Sequence, residues 1–127
     1  MIEIDRKESF YGDATSGTAT KNSTTNIDYC MPSTKALFGA ALIYKDAVDG
    51  DWVEIKIVDV DNVLGYGAGT VVGTFVNKWY IDSNRTDWGH QCDFAKTIPE
   101  GVYVRLAYHS TGTVNDVPVK LNLYMLH

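Results

Sequence analysis

The chain has 127 residues, 45% of them hydrophobic and 21% charged, which suits one domain with its own core and excludes a wholly disordered polymer. No stretch approaches the ~18 consecutive apolar residues of a membrane-spanning helix. The 11 Lys and Arg against 16 Asp and Glu, a net charge of −5, form no basic cluster of the kind that neutralises phosphates, which argues against nucleic acid as a partner.

Met1-Ile2-Glu3-Ile4-Asp5-Arg6-Lys7 has no basic start followed by an apolar run, so the expectation is synthesis in a cytoplasm without a secretory signal. Ile2–Lys7 is the first strand candidate. Tyr11 to Asn26 is dominated by Gly, Ser, Thr and Asn and offers little to bury. It reads as a solvated loop or as an arm that orders against a neighbouring subunit. The expected division is therefore an N-terminal strand and arm over residues 1–26, then a β-sandwich over 27–127.

Thr24–Met31 and Ala36–Lys45 are the next strand candidates; a helix over Ser33–Lys45 would contain Gly39 and shows no clean 3.6-residue face. From Asp51 to Asp59 the pattern alternates, with Val53, Ile55 and Ile57 on one side and Trp52, Glu54 and Lys56 on the other. Thr70–Ile81 and Gln91–Ile98 follow. Val102, Val104, Leu106 and Tyr108 form a second alternating row, and Val117, Val119, Leu121, Leu123 and Met125 a third. A period of two marks strands with one buried face. Asp49-Gly50-Asp51, the segment from Asn62 to Gly69 with its three glycines, and Pro99-Glu100-Gly101 supply the turns. About eight such strands predict an all-β antiparallel sandwich, with jelly-roll topology preferred over an immunoglobulin-type one.

Chemistry-bearing patterns are sparse. Gly65-Tyr66-Gly67-Ala68-Gly69 lacks the order of a phosphate loop, and Asp59-Val60-Asp61-Asn62 begins like a calcium loop but has Leu64 at the sixth position and Thr70 at the twelfth. Asp here is expected to cap a turn. His90, His109 and His127 form no metal-binding pair, and Cys30 and Cys92 stand far apart, expected as reduced thiols. No catalytic residues, cofactor or metal are expected. Trp79 is expected in the core. Trp52, on the polar side of its strand, Tyr66 between two glycines, and Trp88 are candidate interface rings; they are also the platform of the alternative reading, a carbohydrate-binding module. Phe10 and Tyr11 belong to the N-terminal segment, the expected contact between subunits.

The run Asp46-Ala-Val-Asp-Gly-Asp-Trp-Val-Glu-Ile-Lys-Ile-Val-Asp59, then Gly65-Tyr-Gly67, Lys78-Trp-Tyr-Ile81 and Ile98 to Gly112, resembles small structural proteins of tailed bacteriophages over roughly residues 40–126. That resemblance implies a jelly-roll cement or decoration subunit without an enzymatic site. It further implies a virion component whose partners are copies of itself and the major capsid protein, with glycans as a further possible ligand.

Overall fold

The computed structural model describes residues 10–84, 87–112 and 115–126, with backbone alone for residues 10–14, 88 and 90–94. Eight strands succeed one another: β1 (Phe10–Ala19), β2 (Thr24–Cys30), β3 (Lys35–Tyr44), β4 (Trp52–Asp59), β5 (Thr70–Tyr80), β6 (Asp87–Ile98), β7 (Tyr103–His109) and β8 (Val117–Leu126). No helix occurs among the described residues. The strands form two four-stranded antiparallel sheets, in the orders β1-β8-β3-β6 and β2-β7-β4-β5.

One rule generates this order. β1 pairs with β8, β2 with β7, β3 with β6 and β4 with β5, all antiparallel. The chain is one long hairpin whose successive rungs alternate between the two sheets, and the β3–β8 and β4–β7 ladders complete each sheet. This is the jelly roll.

The three alternating rows supply the core. Val53, Ile55, Val104, Leu106, Tyr108, Leu121, Leu123 and Met125 are fully buried, facing each other between the sheets. Trp79 is half-buried and packs against this cluster. Burying one face per strand removes apolar area from water at about 25 cal/mol per Å². Turns close where the sequence supplies glycine at positive φ: Gly50 and Gly101 each occupy the third position of a turn, closed by Asp51 N–H to Val48 O and Val102 N–H to Pro99 O, both 3.2 Å. Positive φ at that position defines type II.

The reading of residues 11–26 as a loop or arm is corrected over residues 11–19. Phe10–Ala19 is a ten-residue strand in unbroken register with β8, from Phe10 opposite Leu126 to Ala19 opposite Val117. The expected boundary after residue 26 falls inside β2. The physical reason is that β1 is held by its backbone ladder and needs few large side chains. Its small residues permit close packing at the sandwich corner, where a Cβ on Gly17 would lie 3.0 Å from Ile27 Cγ1. The strand candidate Ile2–Lys7 lies outside the described residues.

Candidate interaction surfaces

The connections divide between two ends of the sandwich. At one end, the buried Asp51 carboxylate ties the β3–β4 connection to the end of β7. It accepts the Tyr108 hydroxyl at 2.7 Å, the Thr111 N–H at 2.7 Å and the Thr111 hydroxyl at 3.1 Å. Burial, followed by the bond to Asp51 and the negative charge there, pushes the Tyr108 phenol far above its ordinary range. Asn22 N–H to Ser110 Oγ and Lys21 N–H to Asp116 Oδ1 fasten the β1–β2 turn to the same end. Ser83 donates its N–H to Asp49 across 2.8 Å, which lowers the Asp49 carboxyl below its usual range.

This end also positions Trp52. The register sets Thr24, His109, Trp52 and Tyr80 side by side across the second sheet. The His109 ring stacks on Trp52 at 3.6 Å and 9°, while Lys78 Nζ lies 4.3 Å from the Trp52 ring centroid. His109 comes from β7 and Lys78 from β5, on the two sides of β4, so the indole is covered from both neighbouring strands. His109 is itself held between Thr24 Oγ1 at 2.8 Å from Nδ1 and Glu54 Oε1 at 3.3 Å from Nε2. Farther along the face, Arg105 grips Asp28 with two bonds of 2.8 and 2.9 Å, which hold the guanidinium charged.

The opposite end carries the β4–β5 loop. Asp59, fully buried at the end of β4, accepts the N–H groups of Val63 at 2.7 Å and Leu64 at 2.8 Å. Asn62 Oδ1 accepts from Gly67 N–H at 2.8 Å, and the Thr70 hydroxyl donates to Gly67 O at 2.7 Å. Asn62, Gly65, Gly67 and Gly69 all take positive φ, so the loop turns sharply back on itself. The expectation that aspartate caps a turn here holds. The loop is fixed by its own bonds, yet it turns apolar side chains outward: Tyr66 is 77% exposed and Val63 52%, with Leu64 partly exposed. Val71, 51% exposed, and Val72, 39%, also stand exposed at the start of β5. Nearby, the Tyr103 phenol is pushed up to about 12 by its hydrogen bond with Cys30 and the charge of Asp61. Cys30 is an exposed free thiol.

A third surface is an open groove of about 420 Å³ on the outer face of the first sheet, lined by residues that include Ser16, Thr18, Ile43, Lys45, Pro118 and Lys120. Among the described residues, no three His, Cys, Asp or Glu side chains gather as a metal site, and every buried side-chain polar atom has a hydrogen-bond partner.

Of the five predicted interface rings, Trp52 and Tyr66 stand far apart. Trp52 begins β4 and Tyr66 lies beyond its far end; eight strand residues separate those ends by roughly 23 Å. Trp88 belongs to β6, in the other sheet, opposite Leu42. Phe10 and Tyr11 begin β1 opposite Leu126 and Met125, at the same end of the sandwich as the Tyr66 loop. Their side chains and that of Trp88 lie outside the description. Sequence reading missed Val63, Leu64, Val71 and Val72. The available signal was an aspartate ending a strand before a glycine-rich bend, which fixes a loop, but no periodicity marks which way its apolar residues face.

No family model matches the sequence, and no curated protein is significantly similar to it. Among solved structures, the chain is similar to FLHE, with a TM-score of 0.52, 10% identity, and coverage of 94% of this chain and 99% of that one. It is also similar to a chain of the cyanophage Pam1 capsid asymmetric unit, with TM-score 0.44, 15% identity and coverage of 93% and 81%. A low-affinity xylan binding module, CBM86, from Roseburia intestinalis has TM-score 0.47, 13% identity and coverage of 91% and 84%. At such identities the likeness is one of fold. The fold defines the chain as a jelly-roll sandwich, and its β4–β5 loop, held by Asp59, turns apolar side chains outward.

Proposed function

We propose that the chain is a non-enzymatic structural subunit of a bacteriophage virion, of the capsid cement or decoration type, which associates with itself and stabilises the major capsid lattice. The observation that carries this reading is the Tyr66 loop. Exposed apolar patches on a rigid support mark protein contacts, and here the buried Asp59 carboxylate holds the loop in place while Tyr66, Val63 and Val71 face outward. A preformed loop loses little conformational freedom on docking, which favours repeated attachment to a regular shell. The jelly-roll fold and the resemblance of residues 40–126 to small phage structural proteins support the same assignment.

The carbohydrate-binding alternative is less well supported. Two rings of its platform, Trp52 and Tyr66, stand at opposite ends of β4, and His109 and Lys78 cover the Trp52 ring.

The test is co-sedimentation of the purified chain with capsid shells of the phage that encodes it. The wild-type chain is expected to pellet saturably with the shells, and Tyr66→Asp to remain in the supernatant with an unchanged circular dichroism spectrum. Failure of the wild-type chain to bind, or equal binding by the folded variant, overturns the proposal. Saturable signal on a glycan array in the absence of shell binding establishes the alternative.

A further inference from the structure

The four sheet edges are not alike. β5 is broken by register shifts between Val53 and Ile55, Ile55 and Lys56, and Ile57 and Val58 of its partner. β6 is interrupted where pairing passes from Leu37 to Gly39. β2 is seven residues long and carries Asp28, tied to Arg105. Irregularity, shortness and charge are the devices that keep an edge from accepting another strand. β1 is neither irregular nor short. Its ten residues, Phe-Tyr-Gly-Asp-Ala-Thr-Ser-Gly-Thr-Ala, pair with β8 without a shift, contain no proline or lysine, and carry one charge, at Asp13. Among the described residues, no strand lies on its other side.

We propose that the outer edge of β1 pairs antiparallel with β1 of a second copy, joining two four-stranded sheets into one eight-stranded sheet across a two-fold axis. The occupant is a second copy because the edge is complementary to itself. Directly opposite residues must share a sheet face, so the axis passes through a residue and not between two. Centred on Ala14, the pairing sets Asp13 against Thr15; centred on Thr15, it sets Asp13 against Gly17. Neither arrangement faces like charges across the seam. Ser16 and Thr18 stay on the exposed outer face in both, and their small side chains leave room for the second sheet. The contact is isologous and closes on itself, as a soluble dimer requires. This deepens the self-association part of the function proposed above and uses a surface separate from the Tyr66 loop.

Three measurements on the full chain test it. Light scattering after gel filtration, from low to high micromolar concentration, is expected to show the mass rising from one chain to two. Over that range, hydrogen exchange of β1 amides is expected to slow roughly tenfold or more while β2 amides are unchanged. In a Cys30→Ser, Cys92→Ser background, Ala14→Cys or Thr15→Cys is expected to form a disulfide-linked dimer, and the exposed control Thr24→Cys is not. A chain that stays monomeric overturns the proposal, as does a dimer in which β1 exchange is unchanged or neither cysteine cross-links. Protection of β1 that is independent of concentration also overturns it, since the edge is then covered by residues of its own chain. A dimer that ignores capsid shells defeats only the virion assignment, and a shell-binding monomer defeats only this one.

Discussion

The Tyr108 hydroxyl donates to the Asp51 carboxylate across 2.7 Å, joining the strand row that fills the core to the connection that enters β4. Both residues are fully buried. Tyr108→Phe is expected to keep the packing and lose one hydrogen bond to a charged acceptor, a cost of about 1.5–3 kcal/mol, read as a lower urea midpoint at unchanged slope.

The same pair gives a pH dependence. The Tyr108 phenol titrates higher in the folded chain than its ordinary value of 10.0, first because it is buried and then because of Asp51. The neutral phenol is therefore favoured by folding. Its contribution is complete below pH 10, where the phenol is neutral in the unfolded chain too, and declines as pH rises above that value. Urea midpoints measured from pH 8 to 11 are expected to fall at the alkaline end, and to fall less in Tyr108→Phe. Parallel curves for the two proteins would contradict this account.

Asp59→Ala removes the acceptor of two backbone N–H groups, from Val63 and Leu64. The expected loss is about 3 kcal/mol, one strong bond's worth for each donor left behind. Amide exchange at Val63 and Leu64 should rise more than at β7, and binding through Tyr66 should weaken even at temperatures where the sandwich stays folded.

Gly101→Ala tests the neighbouring turn. Gly101 has φ +84°, and an added Cβ would lie 3.1 Å from Val63 Cγ2. Left-handed backbone alone costs a non-glycine residue about 1–2 kcal/mol, so thermal scans should show a lower Tm, accompanied by faster exchange in the β4–β5 loop, to which Val63 belongs.

Removing residues 1–20 is expected to destabilise the domain, because it strips β1 from the sheet and opens the ladder face of β8. A milder probe is Gly17→Val, which presses on Ile27 and should cost about 1–3 kcal/mol by overpacking. A truncated chain with the wild-type urea midpoint would restore the reading of this segment as a detached arm.

Much of the sandwich was legible because burial on one face imposes a period of two. The rows beginning at Val53, Val102 and Val117 are apolar at every second residue, and all three line the core. β1 escaped because its order comes from backbone bonds to a strand a hundred residues away, and backbone bonds leave little trace in side-chain hydrophobicity. The placement of the rings was less legible still. Trp52 does lie on the outer side of its strand, yet whether its face is open depends on His109 and Lys78, two residues brought beside it only by the strand order. Tyr66 was visible as a tyrosine between glycines. That it stands on a fixed support follows from Asp59 being buried and doubly bonded, which is a tertiary fact.

Pairing strands from the middle outward has a consequence for how the chain is made. On a ribosome, β4 and β5 can meet as soon as both have emerged, but β1 must wait for β8, the last of the described strands to appear. Until β8 emerges, β1 lacks its ladder partner and is able to join whatever bare ladder lies within reach. Emergence of β8 is the first moment at which β1's own partner competes on equal terms, so nascent chains crowded on one message are where strand exchange between neighbours would begin.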